Sequence, residues 1–238
     1  MAPLNVNIVG RRRPGMTLAE HRHYIRRVHG ERVLVYIGTE PESAPRRYVQ
    51  NAVVDSVFRD TAPGSDPFAL DRDFVTQVWF EDFGALERSR RTAYYDEHLK
   101  ADEDRFADQA SVVFLASHER EIIRRGRVPA GAWKRFVLIQ RVPGVEQIAF
   151  AGAWARAAEH AGDVALRHVQ NDVLGRPDAV APADAIDEFW FDDEAAARTQ
   201  LSVWAAMLHE QLVLPGLAVD GSLVALIARE DVLHAGAA

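Results

Sequence analysis

The sequence predicts an α+β protein built of two ferredoxin-like βαββαβ repeats that close on each other into one barrel. Three observations carry this. Landmarks of the first half recur in the same order in the second, one copy reads strand–helix–strand–strand–helix–strand, and each such unit leaves one sheet face bare.

The repeat comes first. Arg47-Tyr48-Val49-Gln50-Asn51 returns as Arg167-His168-Val169-Gln170-Asn171, an offset of 120. Val78-Trp79-Phe80-Glu81-Asp82 returns as Phe189-Trp190-Phe191-Asp192-Asp193, an offset of 111. Ser111–Ala116 returns as Ser222–Ile227, again at 111, and Arg13-Pro14-Gly15 is echoed by Val142-Pro143-Gly144 at 129. The falling offsets place two deletions of about nine residues each in the second copy, one before its Gln-Asn and one after.

In the first copy, Val6 and Ile8 alternate with Asn5 and Asn7, which is strand periodicity over Leu4 to Arg11. Pro14-Gly15 ends it. Thr17 and Glu20 form a capping box that opens a helix. Leu18, His21, Ile25 and Val28 share one face of that helix, with His29 at its C-terminal end. Tyr48 to Val54 is the second strand, residues 60–67 are a loop by composition, and Phe74 to Phe80 is the third strand. A helix from Phe83 to about Arg91, a charged helical or ordered segment over Asp96 to Asp108 and a strand over Ser111 to Ser117 complete the unit.

The second copy repeats this with strands at Phe136–Arg141, Arg167–Leu174, Ile186–Phe191 and Ser222–Arg229. Its helices are expected near Ile148–Glu159 and from Asp193 to about Leu212. Residues 1–123 and 133–238 are thus the two repeats, and 124–132, with Gly126, Pro129 and Gly131, is the linker. A second sheet is the best cover for each bare sheet face.

Composition excludes several functions. Of 238 residues, 48% are hydrophobic and 26% charged, and no cysteine occurs, so disulfides, thiolate metal sites and a cysteine nucleophile are absent. A net charge of −7 argues against a nucleic-acid partner. Arg11-Arg12-Arg13 and Arg124-Arg125-Gly126-Arg127 read as solvated surface. Neither a long apolar span nor a signal-peptide layout is present, so a cytoplasmic protein without a membrane partner is expected.

The residues from Arg12 to Thr17, Arg-Arg-Pro-Gly-Met-Thr, lead to Tyr24 and then Val28-His29-Gly30. With Tyr48–Asn51, Trp79-Phe80, the segment Ala101–Asp108 and the Ser111 strand, this pattern resembles the EthD family over residues 4–121. Residues 133–233 look like a degenerate second copy. It has no clear Val-His pair, though Glu159-His160 lies close to that place. The resemblance implies a pseudo-dimeric α/β barrel in one chain, among small barrels that include cofactor-independent cyclases, dehydratases, decarboxylases, lactone isomerases and cofactor-free monooxygenases.

Chemistry is expected at named positions. His29 is the leading catalytic candidate, because an imidazole titrates near working pH; the plainer role is capping the last helical carbonyls. Strand alternation puts Tyr48, Gln50 and Ala52 on one face and Val49, Asn51 and Val53 on the other. The Tyr48 and Gln50 set, matched by His168, Gln170 and Asp172, is expected to face the cavity and bind substrate, with the other set facing the helices. Asp172 and Glu188 are further catalytic candidates, as carboxylates whose counterparts, Ala52 and Gln77, are uncharged. Gln77 and Trp79 are further substrate-binding candidates, Trp79 as a stacking platform or as core.

His21-x-His23 splays its rings and makes a poor metal pair, Arg156, Arg167 and Arg176 are too spread for an anion clamp, and no phosphate loop or nucleophile elbow occurs. No cofactor and no metal are expected. The reading is a cofactor-independent lyase or isomerase, a cyclase or dehydratase of polyketide-like secondary metabolism. It would take a small apolar or aromatic substrate and act beside a carbonyl as a monomer or homodimer. Alternatives are a cofactor-free monooxygenase and a non-catalytic or haem-binding barrel, with His29 or His168 as axial ligand.

Overall fold

The computed structural model describes residues 3–59, 66–159, 165–175 and 181–236. Most of the 60–67 loop, together with His160 and Arg176, lies outside the described residues. These residues group into two compact units. The first comprises Met1–Val53, Arg72–His118 and Glu230–Ala238, and the second Val54–Asp71 and Glu119–Arg229. Three long strands change unit partway, at Val53, His118 and Arg229.

The first unit contains β1 (Leu4–Gly10), α1 (Leu18–Tyr24), α2 (Gly30–Thr39), the start of β2 (Arg47–Val57), β3 (Phe74–Phe80), α3 (Phe83–Ser89), α4 (Ala101–Glu103) and the start of β4 (Val113–Arg124). Its sheet runs β4-β1-β3-β2, all antiparallel, with Val6 opposite Val78 and Ala116, and Gln50 opposite Thr76. Thr17 caps α1 in the full capping box with Glu20. β3 takes the span its pattern predicts, Phe74–Phe80.

The first helix does not stop at Gly30. A π-helical turn, Ile25–His29, joins α1 to α2, which runs on to Thr39. Gly30 reads as a helix stop because glycine so often ends helices. Here it has helical dihedrals (φ −58°, ψ −41°), and a Cβ on it would sit 3.0 Å from Ile25 O and 3.3 Å from Gln50 Nε2. Close approach explains this glycine. His29 is therefore mid-helix and cannot cap terminal carbonyls.

The second unit contains the end of β4, β5 (Trp133–Ile139), α5 (Gln147–Glu159), β6 (Arg167–Val173), β7 (Ala185–Phe191), α6 (Glu194–Leu208), a π-helical turn His209–Val213 and most of β8 (Val224–His234). Its sheet runs β8-β5-β7-β6, also antiparallel. Phe150, Trp154, Phe189, Phe191, Trp204 and Leu208 fill the space between sheet and helices.

One member of the first arginine run is no free surface charge. Arg12 ion-pairs with Asp73 at 2.5 Å, and its Nε donates to Met16 O. Arg141 does the same with Asp184 and Val145 O. Each arginine ties the turn after a unit's first strand to the residue preceding its third strand. A lone basic run does not reveal this, because the acid lies 61 residues away. Arg124 does remain at the surface, paired with Glu121.

Candidate active site

The π-helical turn creates the site. An extra residue in a helix displaces one carbonyl from the ordinary ladder, and such turns are frequent at functional positions. Here Ile25 O accepts from Gly30 N–H, five residues on, and also from Gln50 Nε2 at 2.7 Å. The same Gln50 nitrogen lies 2.5 Å from the Tyr48 hydroxyl. Gln50 thus clamps the widened turn that carries His29.

His29 Nδ1 lies 3.0 Å from Asp102 Oδ2, and its ring packs 4.7 Å from that of Phe106. Asp102 is 2% exposed. Its other oxygen accepts from the Tyr24 hydroxyl and from Arg32 Nη1, each at 2.6 Å. Burial works against the Asp102 charge, but the hydrogen bonds from His29 and Tyr24 and the charges of His29 and Arg32 prevail. The carboxyl stays below its ordinary range. A base held by an ionised acid that other donors orient is the arrangement that proton-transfer catalysis uses.

The free side of His29 faces a cavity between sheet and helices. One chamber of about 90 Å³ runs past Val6, Tyr48, Val78 and Leu99 to Ser89 and Arg90. A second of about 50 Å³ runs past Phe74, Phe106 and Phe114. Ile8, His29, Thr76 and Glu103 line both. Glu103 is the second acid. Burial pushes its pKa up, against the charges of His29 and Arg90 and a hydrogen bond from Tyr95, whose hydroxyl lies 3.3 Å from Oε1. Burial likewise raises the Tyr95 hydroxyl to about 12. An apolar space with one imidazole and one acid biased toward its neutral form can move a proton and stabilise an enolate.

The structure brings together only part of the predicted site. His29 and Tyr48 line the cavity; Gln50 backs the turn instead. Tyr48 lines the cavity as expected, but the cavity lies on the helix side of the sheet, so Tyr48 and Gln50, and not the Val49 set, face the helices. The opposite face holds Asn5, Asn7, Asn51, Gln77 and Trp79. Gln77 donates to Asn7 Oδ1 at 2.8 Å, and Trp79 is buried under Arg47 at 4.4 Å. The difference arises because helix packing, which strand alternation does not reveal, decides which side of the sheet holds the space.

The candidates in the second unit do not line the His29 cavity. Glu188 is fully buried, 2.6 Å from Lys134 Nζ, and accepts from Asn171. Asp172 accepts from Gln147 at 2.6 Å. His168 is 0% exposed, with Nε2 2.8 Å from Asp187 and its ring stacked on Phe189. It offers no open axial position for a haem. Gln170 bonds Arg120, Trp154 O and Asp187.

The same offsets show which described residues of the second unit stand at these positions. The equivalent bridges Arg12–Ala107 and Arg141–Ala218 show that the alanines keep the offset of 111 to the end of this segment, and at that offset Arg90, Tyr95, Asp102 and Glu103 match Leu201, Ala206, Val213 and Leu214. Gln170 donates to Trp154 O as Gln50 does to Ile25 O, but α5 has no π turn and no histidine there; Ala158 is the nearest match to His29. Indole nitrogens of Trp154 and Trp204 donate to Asp187, and the buried Arg135 lies over Phe189. Burial lowers the Arg135 pKa to about 10.

Sequence reasoning missed the roles of Asp102, Glu103, Arg90, Tyr95 and Arg32. Only the Asp102-Glu103 pair left a signal, inside the charged segment 96–108. Among the described residues, no group of three or more His, Asp or Glu is placed to hold a metal ion, and no helix is long and apolar enough to cross a membrane.

Residues 13–110 match the EthD domain family. A curated relative, Decarboxylase AgnL1 of Paecilomyces divaricatus, is 28% identical over 136 residues, spanning 54% of this chain and 86% of its own length. Among solved structures, an anthrone oxidase-like protein is similar over 100% of this chain and 97% of its own, with a TM-score of 0.61 at 11% identity. Chlorite dismutase from Candidatus Nitrospira defluvii is similar over 97% and 92%, with a TM-score of 0.54 at 9% identity. Likeness at such identities is a likeness of fold.

Proposed function

From the EthD domain at residues 13–110 and the His29 site within it, we propose that this chain is a cofactor-independent proton-transfer enzyme of small-molecule secondary metabolism. The reaction is a lyase step, the decarboxylation of a small aromatic or polyketide-like acid beside a carbonyl or phenol. The single observation that carries this reading is the His29–Asp102 pair opening onto an apolar cavity with Glu103 beside it. The relative named a decarboxylase supports the choice of reaction.

In this mechanism the bond between the carboxylate and its carbon breaks and CO₂ leaves. The electron pair passes into the neighbouring carbonyl, which for a phenolic acid is that of its keto tautomer, as an enolate. Glu103, which burial biases toward its neutral form, donates a hydrogen bond to the enolate oxygen when protonated, and His29 gives the carbon a proton. Asp102 holds the imidazolium before transfer, and solvent restores the proton afterwards. The larger chamber, about 90 Å³, is of the order of the ~150 Å³ cavity that accepts benzene, so a substrate with a single aromatic ring suits it best.

The two units read as tandem ferredoxin-like copies, residues 1–123 and 133–238 joined by 124–132, with the site in the first alone. The test is CO₂ release from a panel of aromatic and β-keto acids, run with and without oxygen, for the wild type and His29→Ala. Oxygen-independent CO₂ release that falls about 10²–10⁴-fold in the variant supports the reading. Turnover that consumes oxygen in step with substrate points to oxidation instead, and no CO₂ release overturns the proposal.

A further inference from the structure

Arg90 is unusual among the cavity-lining residues. It follows α3, is exposed, and lines the larger chamber, while its guanidinium lies 5.0 Å over the ring of Phe114, which lines the smaller one. Phe114 is itself 47% exposed. The pair therefore sits where the cavity meets solvent.

Five other arginines of the first unit are ion-paired: Arg12 to Asp73, Arg26 to Asp231, Arg32 to Asp102, Arg46 to Glu81 and Arg91 to Glu87. Arg90 has no ion-pair partner among the described residues, and its guanidinium makes a cation–π contact with the Phe114 ring. A cation–π contact at an exposed site is weak, so it restrains the guanidinium little. Arg90 still acts inside the cavity, since its charge opposes the upward push that burial gives the pKa values of both Glu103 and Tyr95. In the second unit its counterpart is Leu201, changed together with the counterparts of Asp102 and Glu103.

We propose that Arg90 is the specificity-determining residue of this site, a guanidinium that leaves Phe114 to bind the carboxylate of an aromatic acid entering the cavity. This rests on the proposed function for the location of the site, and it adds the recognition step. Planar guanidinium–carboxylate pairing is directional and charge-assisted. Loss of CO₂ also removes the anchoring group, so the same contact that selects the acid lets the neutral product go.

The experiment separates recognition from turnover. Calorimetry measures binding of 2-hydroxybenzoate and of its uncharged isostere 2-hydroxybenzamide to the wild type, Arg90→Gln, Arg90→Lys and His29→Ala. The wild type and His29→Ala are expected to prefer the acid by about 10-fold or more, one charge-assisted pair being worth roughly 1.5–3 kcal/mol. Arg90→Gln should lose that preference and Arg90→Lys keep part of it. Where a turned-over acid is known, Arg90→Gln should raise KM and leave kcat within a few-fold. Equal binding of acid and amide by the wild type overturns the proposal, as does retained preference in Arg90→Gln or no saturable binding of the acid. A preference for the acid without catalysis in any assay would leave Arg90 standing and sink the lyase reading.

Discussion

His29 Nδ1 and Asp102 Oδ2 lie 3.0 Å apart although 73 positions separate the two residues in the chain. The π turn supplies one partner and the short α4 helix the other. Neither segment alone makes a site.

Replacing Asp102 by Asn tests that pairing. An amide keeps the shape but cannot stabilise an imidazolium, and Tyr24 and Arg32 would then surround a neutral group. Turnover is expected to fall about 10²–10⁴-fold while the circular dichroism spectrum is retained. A drop smaller than about 10-fold, measured by steady-state kinetics, would show that Asp102 only supports the fold.

Glu103→Gln should separate stability from activity. The folded pKa of Glu103 is raised, so its neutral form is favoured in the folded state and its contribution to stability is complete below the unfolded value near 4.5. That contribution is lost as pH rises through the folded value, which makes the ionised carboxylate a cost at neutral pH. The glutamine variant is expected to melt a few degrees higher at pH 7, with the gain vanishing near pH 4, and to turn over substrate more slowly. Calorimetric melting at both pH values checks this; a lower melting temperature at pH 7 would refute it.

His21 predicts a second pH dependence of opposite sign. It is 1% exposed, stacks on Phe74 at 5.3 Å, and neither ring nitrogen has a partner. Burial, opposed by the Asp73 charge and aided by Arg12 and Arg22, brings its pKa down to about 4. A depressed folded pKa contributes stability that is complete above the unfolded value near 6.5 and is lost as pH falls toward about 4. The total is on the order of 3 kcal/mol. Urea unfolding of His21→Phe should show a flatter dependence between those pH values than the wild type; parallel curves would assign the slope elsewhere.

Lys134 and Glu188 make a buried ion pair at 2.6 Å, each side chain 1% exposed. Breaking one side should cost about 3–5 kcal/mol, whereas Lys134→Met with Glu188→Leu should recover most of the loss. Urea midpoints of the singles and the double decide it. Activity surviving in the folded double variant would also remove Glu188 from the catalytic list.

The sequence made the repeating strands legible, because Val6–Ile8 alternation and the shared Gln-Asn and Trp-Phe landmarks are local. His29 was legible as a chemical group in a recognisable motif. Its setting was not. A π turn leaves no periodic trace in one sequence, and Gly30 imitates a helix end while serving close packing against Gln50 and Leu233. Asp102, Glu103 and Arg90 remained unassigned because their meaning depends on tertiary contacts with His29, Tyr95 and Phe114. Gln50 and Gln77 were visible as polar strand residues, but which face held the cavity depended on where the helices packed.

The π turn at Ile25–His29 also bears on how such a protein arises. The α5 helix offers the same carbonyl to the same glutamine without the extra residue. Insertion of a single codon into such a helix would bulge one turn and push one new side chain toward the sheet, leaving the flanking packing in register. If that codon encodes histidine, a scaffold helix acquires an acid–base group in one genetic event, and deletion of the codon would return it to plain scaffold.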